Sequence, residues 1–238
     1  MAVIYLFMRM LLSVRESLKN GLEMFAVHRA PVVYQQKHIE DLLDSGLVLG
    51  NELKSATVKR KAEFLTGRHC VKTCYNLLGV HSPIQPSIGE FKEPIWMQGY
   101  AGSISHCDSM AVAVVTQNDK QSVGIDIEKW LDANQSNRIK KVVCSAKELR
   151  LSRYFSSESQ FVTIAFSAKE SLYKALYPSL KRFLNFNCCE ILSVNLESNY
   201  MLIVLTDDLS YQMTRGRVFR VNYSLNSINV ETLAIIDS

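Results

Sequence analysis

At the centre of the chain stands the stretch Ser122-Val123-Gly124-Ile125-Asp126-Ile127-Glu128, in which β-branched residues alternate with glycine and carboxylates. This alternation predicts a strand, because every second side chain of a strand lies on the same face. The three β-branched residues are predicted to enter a core, with Asp126 and Glu128 together on the opposite face. Two adjacent carboxylates repel each other, whereas a hard cation such as Mg²⁺ would bind them. The alternative is an amphipathic strand with a solvated acidic face.

A second informative stretch begins about forty residues later, at Phe166, and has the residue spacing of a helix. Because proline disfavours helix in the residue before it, the helix is predicted to stop at Pro178. Glu170 and Lys174 lie four residues apart and therefore share a helix face. Two structural interpretations stay open: Ser167 with Glu170 fits a capping box, and Glu170 with Lys174 fits an exposed ion pair.

Together the two stretches resemble the paired signature of the 4′-phosphopantetheinyl transferases. The signature is Gly-Ile-Asp-x-Glu, followed by Phe-Ser-x-Lys-Glu-Ser-x-x-Lys, and all its fixed positions are filled at 124–128 and 166–174. Gly102-Ser103-Ile104-Ser105-His106 is similar to the Ser-x-Ser-His segment of the family. Residues 59–68, Lys-Arg-Lys-Ala-Glu-Phe-Leu-Thr-Gly-Arg, resemble a helix of its enterobactin-type branch. The resemblance covers residues 59–178.

The resemblance implies an α+β fold with two pseudosymmetric lobes. Each lobe would be a small antiparallel sheet packed against a long helix, with the ligand site between the lobes. We expect the first lobe to comprise residues 1–117 and the second residues 118–238.

The resemblance also implies an activity, the transfer of 4′-phosphopantetheine from coenzyme A to a serine of an apo acyl or peptidyl carrier protein. The reaction would require Mg²⁺ and release adenosine 3′,5′-bisphosphate. Asp126, Glu128 and Glu170 are the implied metal ligands, and Glu170 is also the implied general base. The carrier and its pathway, whether siderophore, polyketide or fatty acid synthesis, are not specified by the motifs.

Basic and polar side chains are the implied contacts of the coenzyme. Lys174 can act on a phosphate as a point charge. The other candidates, by matching family positions or by their charge, are Ser105, His106, Arg60, Arg68 and Lys92. The family usually has proline directly after the basic residue at Lys92, whereas Glu93 intervenes here.

Two other classes of function compete with a transferase. The chain could be a non-catalytic module that binds coenzyme A or a nucleotide, although such a module does not need Glu170 opposite the Asp126/Glu128 pair. A nucleic-acid binder would need clustered basic and aromatic residues, and Lys59-Arg60-Lys61 is the only dense basic run.

The whole chain has the composition of a globular protein. Of its 238 residues 47% are hydrophobic, the net charge is +4, and the six cysteines lack zinc-site spacing. The apolar N-terminus lacks the basic region and cleavage site of a signal peptide, and no apolar run reaches the ~20 residues of a membrane span. We expect a cytoplasmic monomer that does not bind nucleic acid.

Periodicity and turn residues predict the remaining elements. A turn at Gln117-Asn118-Asp119-Lys120 is predicted to make a hairpin that places Ser105 and His106 on a strand adjacent to that of Asp126. Residues 81–100 are predicted to form a loop. Helices are predicted at 35–43, 56–78, 140–154 and 160–176, and strands at 22–28, 110–115, 189–196, 201–205, 211–214, 218–223 and 230–236.

Overall fold

The computed structural model describes residues 25–81, 85–118 and 120–237. The described helices are α1 (Gln36–Asp44), α2 (Val58–Leu77), α3 (Ala133–Val143), α4 (Ala146–Leu149) and α5 (Glu158–Leu180). The described strands are β1 (Phe25–Pro31), β2 (Ser87–Ile88), β3 (Pro94–Ile95), β4 (Ala101–Cys107), β5 (Met110–Thr116), β6 (Gln121–Lys129), β7 (Cys189–Asn195), β8 (Tyr200–Leu205), β9 (Val218–Leu225) and β10 (Asn229–Asp237). The first residues of the predicted strand at 22–28 lie outside these ranges.

The first lobe is a three-stranded antiparallel sheet, in the order β1-β5-β4, covered on one face by α2. Thr57 caps α2 by accepting a hydrogen bond from the backbone of Arg60. Cys70 and Cys74 lie one helical turn apart and are fully buried against β5. They are therefore part of the core.

The second lobe is a five-stranded antiparallel sheet, in the order β6-β10-β9-β8-β7, packed against α5. Ser157 caps α5 through the backbone N–H of Gln160. Both lobes thus consist of an antiparallel sheet and a long helix, which confirms the α+β class. The division at residues 117/118 stays a prediction.

The two faces of β6 have different neighbours. Val123, Ile125 and Ile127 pack between the two sheets, where they meet side chains of β5. Gly124 lies on the opposite face directly under α5, since a Cβ there would stand 1.9 Å from the carbonyl oxygen of Ser171. The alternative interpretation, a strand with a solvated acidic face, is therefore wrong, because α5 covers the carboxylate side of this strand.

The helix that carries the second motif is longer than predicted. It begins at Glu158 and continues through Pro178 to Leu180, because a proline in the last turn costs only one helical hydrogen bond. Ser167 therefore lies in the middle of the helix, where its hydroxyl is buried and 2.9 Å from that of Thr232. The predicted capping box of Ser167 and Glu170 is wrong.

Three other local predictions are also wrong. The chain between β5 and β6 links two different sheets, so these strands do not form a hairpin. The predicted helix at 140–154 is interrupted, because Ser145 caps the separate helix α4 and residues 150–154 form a 3₁₀ turn. Residues 211–214 form bends instead of a strand.

The other predicted elements are confirmed within one to three residues at most ends. Helices α1 and α2 and strands β5, β7, β8, β9 and β10 occur where the patterns place them. The predicted loop at 81–100 contains the short ladder of β2 and β3. In the part of the chain that the structure describes, no helix is long and apolar enough to cross a membrane.

Candidate active site

The side chain of Lys174 lies where the two lobes meet. Its Nζ donates to Ser105 Oγ at 2.9 Å and to the carbonyl oxygen of Ile125 at 3.2 Å, and lies 2.6 Å from Asp126 Oδ1. Ser105 Oγ in turn donates to Asp126 Oδ1 at 2.8 Å. Ser105 comes from the first sheet, and Asp126 and Lys174 from the second lobe. The predicted proximity of Ser105 and Asp126 is thus correct, but the packing of two sheets produces it.

Lys174 is the partner of Asp126, and this replaces the predicted ion pair of Lys174 with Glu170. Because Gly124 lets α5 approach β6 closely, a lysine on the helix reaches a carboxylate on the strand. Asp126 is only 3% exposed, and its second oxygen, Oδ2, is buried without a hydrogen-bond partner among the described residues. One half of this carboxylate is therefore satisfied and the other is not.

The negative charge of Asp126 acts on the carboxyl groups of both Glu128 and Glu170. Burial, followed by the charge of Asp126, raises the pKa of Glu128 to about 8. The same two causes raise the pKa of Glu170, and the ammonium of Lys174 opposes both shifts. The three carboxylates predicted as a cluster therefore influence one another, although they belong to a strand and a helix.

These carboxylates fit a hard divalent cation by their chemistry. Oxygen donors are what Mg²⁺ takes, and the unpartnered Oδ2 of Asp126 is a buried acceptor that a cation would satisfy. Among the described residues, however, no group of three His, Cys, Asp or Glu side chains already encloses a metal position.

His106 lies at the end of β4, next to the first turns of α2. Its Nε2 is 3.3 Å from Arg60 Nη1 and 3.9 Å from Glu63 Oε2. Burial lowers the pKa of His106, while the carboxylate of Glu63 opposes this shift. A neutral imidazole can accept a hydrogen bond from Arg60, so His106 and Arg60 are brought together as the motifs predict. Glu63, which the sequence interpretation missed, connects them.

Arg68 is placed differently from Arg60. Its side chain is buried, with the guanidinium 4.6 Å from the centre of the Phe64 ring and Nε without a hydrogen-bond partner in the described residues. Burial lowers the pKa of Arg68 to about 10. Among the described contacts none joins Arg68 to Lys174 or Asp126, so it is not part of their cluster.

A cavity of about 460 Å³ opens beside Lys174. Lys92 lines it from the turn between β2 and β3, with a backbone φ of 67°, in the left-handed region. Lys181, just after α5, lines it with a φ of 50°. Such conformations cost energy in residues other than glycine and often occur at functional sites. Sequence reasoning missed Lys181, because nothing in its local pattern signals this conformation.

Other side chains shape this cavity and a second one. Trp96 lies against Gly102, where a Cβ would stand 2.6 Å from the indole ring, and both line the cavity beside Lys174. A second cavity of about 500 Å³ is lined by Glu128, Cys107, Trp130 and Leu131, among others. Lys174 therefore borders one cavity, and Glu128 borders the other.

Comparison with protein families assigns the chain to a class. The 4′-phosphopantetheinyl transferase N-terminal domain matches residues 49–116, and the 4′-phosphopantetheinyl transferase superfamily matches residues 122–223. The second match contains Asp126, Glu128, Glu170 and Lys174. The chain belongs to the 4′-phosphopantetheinyl transferases.

Similar curated proteins agree with this class. Enterobactin synthase component D of Salmonella typhi is 36% identical over 175 residues, which are 72% of this chain and 71% of that protein. Enterobactin synthase component D of Escherichia coli K12 is 38% identical, over 52% of this chain and 58% of that protein. The 4′-phosphopantetheinyl transferase PptT of Mycobacterium tuberculosis is 36% identical, over 57% of this chain and 60% of that protein.

Proposed function

We propose that this protein transfers 4′-phosphopantetheine from coenzyme A to a serine of an apo acyl or peptidyl carrier protein. The serine oxygen would attack the phosphorus that carries pantetheine, and adenosine 3′,5′-bisphosphate would leave with the electrons of the broken P–O bond. We also propose that the protein acts as a monomer in the cytoplasm, where its six cysteines, free thiols in this structure, would remain reduced.

One observation carries the proposal: Lys174 Nζ bonds at once to Ser105 Oγ and Asp126 Oδ1 across the junction of the lobes. Coenzyme A carries a pyrophosphate, and a lysine beside carboxylates at the mouth of a cavity suits such a group. The ammonium can move from Asp126 to a phosphate oxygen as a point charge. Ser105 would then keep its hydrogen bond to Asp126 and hold that carboxylate in place.

The cavity beside Lys174 is the proposed place for the coenzyme. Lys92 and Lys181 line its wall together with Lys174, so three basic residues and one acidic residue, Glu93, border the same space. Aromatic rings of Trp96 and Tyr177 provide apolar surface for a nucleotide base. Arg60 and His106 would add donors for a phosphate at the edge of the site. Arg68 remains a proposed contact only for a phosphate that reaches its buried guanidinium.

Asp126, Glu128 and Glu170 are the proposed holders of Mg²⁺, and their oxygen atoms suit it. When bound, the ion would neutralise negative charge on the pyrophosphate. Glu170 is the proposed proton acceptor for the carrier serine, because it lies on α5 and is close enough to Asp126 for that charge to raise its pKa. The serine would enter from the cavity beside Glu128. A binding module without catalysis has no use for this third carboxylate.

Mass spectrometry of an apo carrier protein tests the proposal directly. The carrier is incubated with this protein, coenzyme A and Mg²⁺, and with a chelator in a parallel sample. We expect the carrier to gain the mass of one phosphopantetheine only when Mg²⁺ is present. Failure with several acyl and peptidyl carriers, combined with measurable coenzyme A binding, would favour the non-catalytic module.

A further inference from the structure

A second lysine of the same helix is fully buried and has no role in the site described so far. Lys169 and Glu148 are each 1% exposed, and Lys169 Nζ lies 2.7 Å from Glu148 Oε1. The ammonium also donates to the carbonyl oxygens of Val143 at 2.7 Å, Cys189 at 3.2 Å and Phe186 at 3.3 Å. It is therefore enclosed by four oxygen atoms.

Glu148 is held as firmly as its partner. Its Oε1 accepts the backbone N–H of Ile191 at 2.8 Å, and its Oε2 accepts that of Ser145 at 2.7 Å. The pair thereby ties α5 to the end of α3, to the start of α4 and to strand β7. Three separate segments converge on a single side chain of the helix.

The Lys169–Glu148 pair restrains the orientation of α5 more strongly than apolar packing does. Apolar contacts let a helix slide or rotate by small amounts, whereas hydrogen bonds to fixed carbonyl groups have preferred directions. A buried ion pair seldom adds stability over apolar side chains of the same size, and in some proteins such a pair instead specifies one arrangement of the segments that it joins. On the opposite side of α5, the close contact of Gly124 with Ser171 holds the helix against β6.

We propose that Lys169 is a positioning residue for Glu170, and this inference rests on the proposed function. Consecutive helical residues point about 100° apart, so Lys169 faces the α3–α4 junction while Glu170 faces the acidic cluster. The Lys169–Glu148 pair fixes the rotation of α5 about its axis. That rotation sets where the Glu170 carboxylate stands relative to Asp126.

The test uses a double variant, so that neither partner remains as a buried charge without a counter-ion. Lys169→Met alone leaves Glu148 without its cation and can fail to fold, so Lys169→Met is combined with Glu148→Gln. The amide oxygen of glutamine can still accept the N–H of Ile191. Lys147→Met, on α4, is the matched control, because Lys147 pairs with Glu190 at 3.0 Å but is 67% exposed.

Two quantities are measured on folded protein, as judged by thermal unfolding. The first is Mn²⁺ binding by electron paramagnetic resonance without coenzyme or carrier, and the second is kcat and KM for transfer. We expect the double variant to fold, to bind Mn²⁺ about 10- to 100-fold more weakly and to lose kcat by a similar factor, because a misplaced Glu170 should cost about as much as the loss of a group that orients a metal ligand. The KM for the carrier should not change, and Lys147→Met should behave as the parent protein.

Native Mn²⁺ binding and native kcat in a folded double variant would overturn the inference. Absence of Mn²⁺ binding in the parent protein would overturn it as well. Failure of the proposed function has a different signature, since the parent protein would then modify no carrier while the comparison of Mn²⁺ binding still decides the role of Lys169.

Discussion

Lys174 Nζ and Asp126 Oδ1 lie 2.6 Å apart, one on helix α5 and the other on strand β6. The carboxylate is almost fully buried, whereas 30% of the lysine side chain is exposed. The ion pair therefore links α5 to β6 through a buried carboxylate, and Lys174 also lines the neighbouring cavity. The Asp126 carboxylate therefore belongs to the packed structure, because it has two partners in the folded protein.

The energy of this pair can be measured by a double-mutant cycle with Asp126→Asn and Lys174→Met. Loss of one partner from a buried pair leaves the other uncompensated, but solvent around Lys174 reduces the effect. We expect a coupling energy of about 1–3 kcal/mol from urea unfolding. Lys140 and Glu158 are a matched control, since they are also 2.6 Å apart but the Glu158 side chain is 46% exposed, against 4% for Asp126. A coupling energy no larger than that of the control would contradict the structural role of Asp126.

Gly124 is expected to be the least replaceable glycine of the second lobe. Gly124→Ala would place a Cβ 1.9 Å from the carbonyl oxygen of Ser171, so α5 would have to move away from β6. We expect a loss of about 3 kcal/mol or more in the free energy of unfolding, at the upper end of overpacking effects. The folded fraction should also transfer phosphopantetheine poorly, because Lys174 and Glu170 move with the helix.

Gly216→Ala is the control for this substitution. Gly216 has a φ of 88° but no atom within 4 Å of an added Cβ, so only backbone strain of about 1 kcal/mol is expected. Its transfer rate should match that of the parent protein. Equal losses of stability in the two variants would show that the contact at Gly124 is not tight.

Lys92 permits a separation of stability from ligand binding. Lys92→Gly removes the side chain but suits a φ of 67°, so we expect equal stability or a gain of up to about 1 kcal/mol. The KM for coenzyme A should rise about tenfold, as the loss of one charged contact predicts. Asn199→Gly, at a φ of 51° in the turn between β7 and β8, should change stability similarly and leave the KM unchanged. An unchanged KM in Lys92→Gly would remove Lys92 from the coenzyme site.

The metal-free protein should lose stability as the pH rises. The folded pKa of Glu128 is about 8, above its ordinary value of 4.5, so folding favours the protonated form. The stabilisation is fully present below pH 4.5 and is lost as the pH rises through about 8. Urea midpoints at pH 5 and pH 8 with a chelator would measure this. Glu128→Gln should reduce the difference, and Glu197→Gln, in an exposed turn, should not. If the urea midpoints of Glu128→Gln differ between pH 5 and pH 8 as much as those of the parent protein, the raised pKa of Glu128 is contradicted.

Much of this architecture could be predicted from local patterns. The alternation in β6 and the helical spacing of α2 and α5 lead to the correct elements, because periodicity depends on neighbours in sequence. The same alternation cannot tell whether a polar face meets water or a helix, and so the solvated acidic face stays open as an alternative until the structure is known. Only the contact between Gly124 and Ser171 decides this, and it involves residues far apart in the chain.

Other errors have comparable physical origins. A short turn has the same composition whether the two strands that it connects pair with each other or belong to different sheets. The strands β5 and β6 belong to different sheets. Pro178 indicates a helix end, but it cannot show that the helix finishes two residues later. The buried pair of Lys169 and Glu148 has no local signature, since both residue types are usually exposed. The functional motif, by contrast, is contiguous in sequence and so points to Glu170 and Lys174 directly.

Replacement of Glu170 by glutamine tests the proposed chemistry most directly. Burial and the charge of Asp126 raise the pKa of Glu170, so its negative charge is a cost to folding and a neutral amide should leave stability unchanged or slightly higher. An amide cannot accept the serine proton, and loss of a general base typically lowers rates by about 10²–10⁴-fold. The single-turnover rate of carrier modification and the thermal midpoint are measured on the same preparation of Glu170→Gln. We expect a native midpoint with a rate reduced by at least about 10²-fold; a native midpoint with a native rate would contradict the role of Glu170 as base.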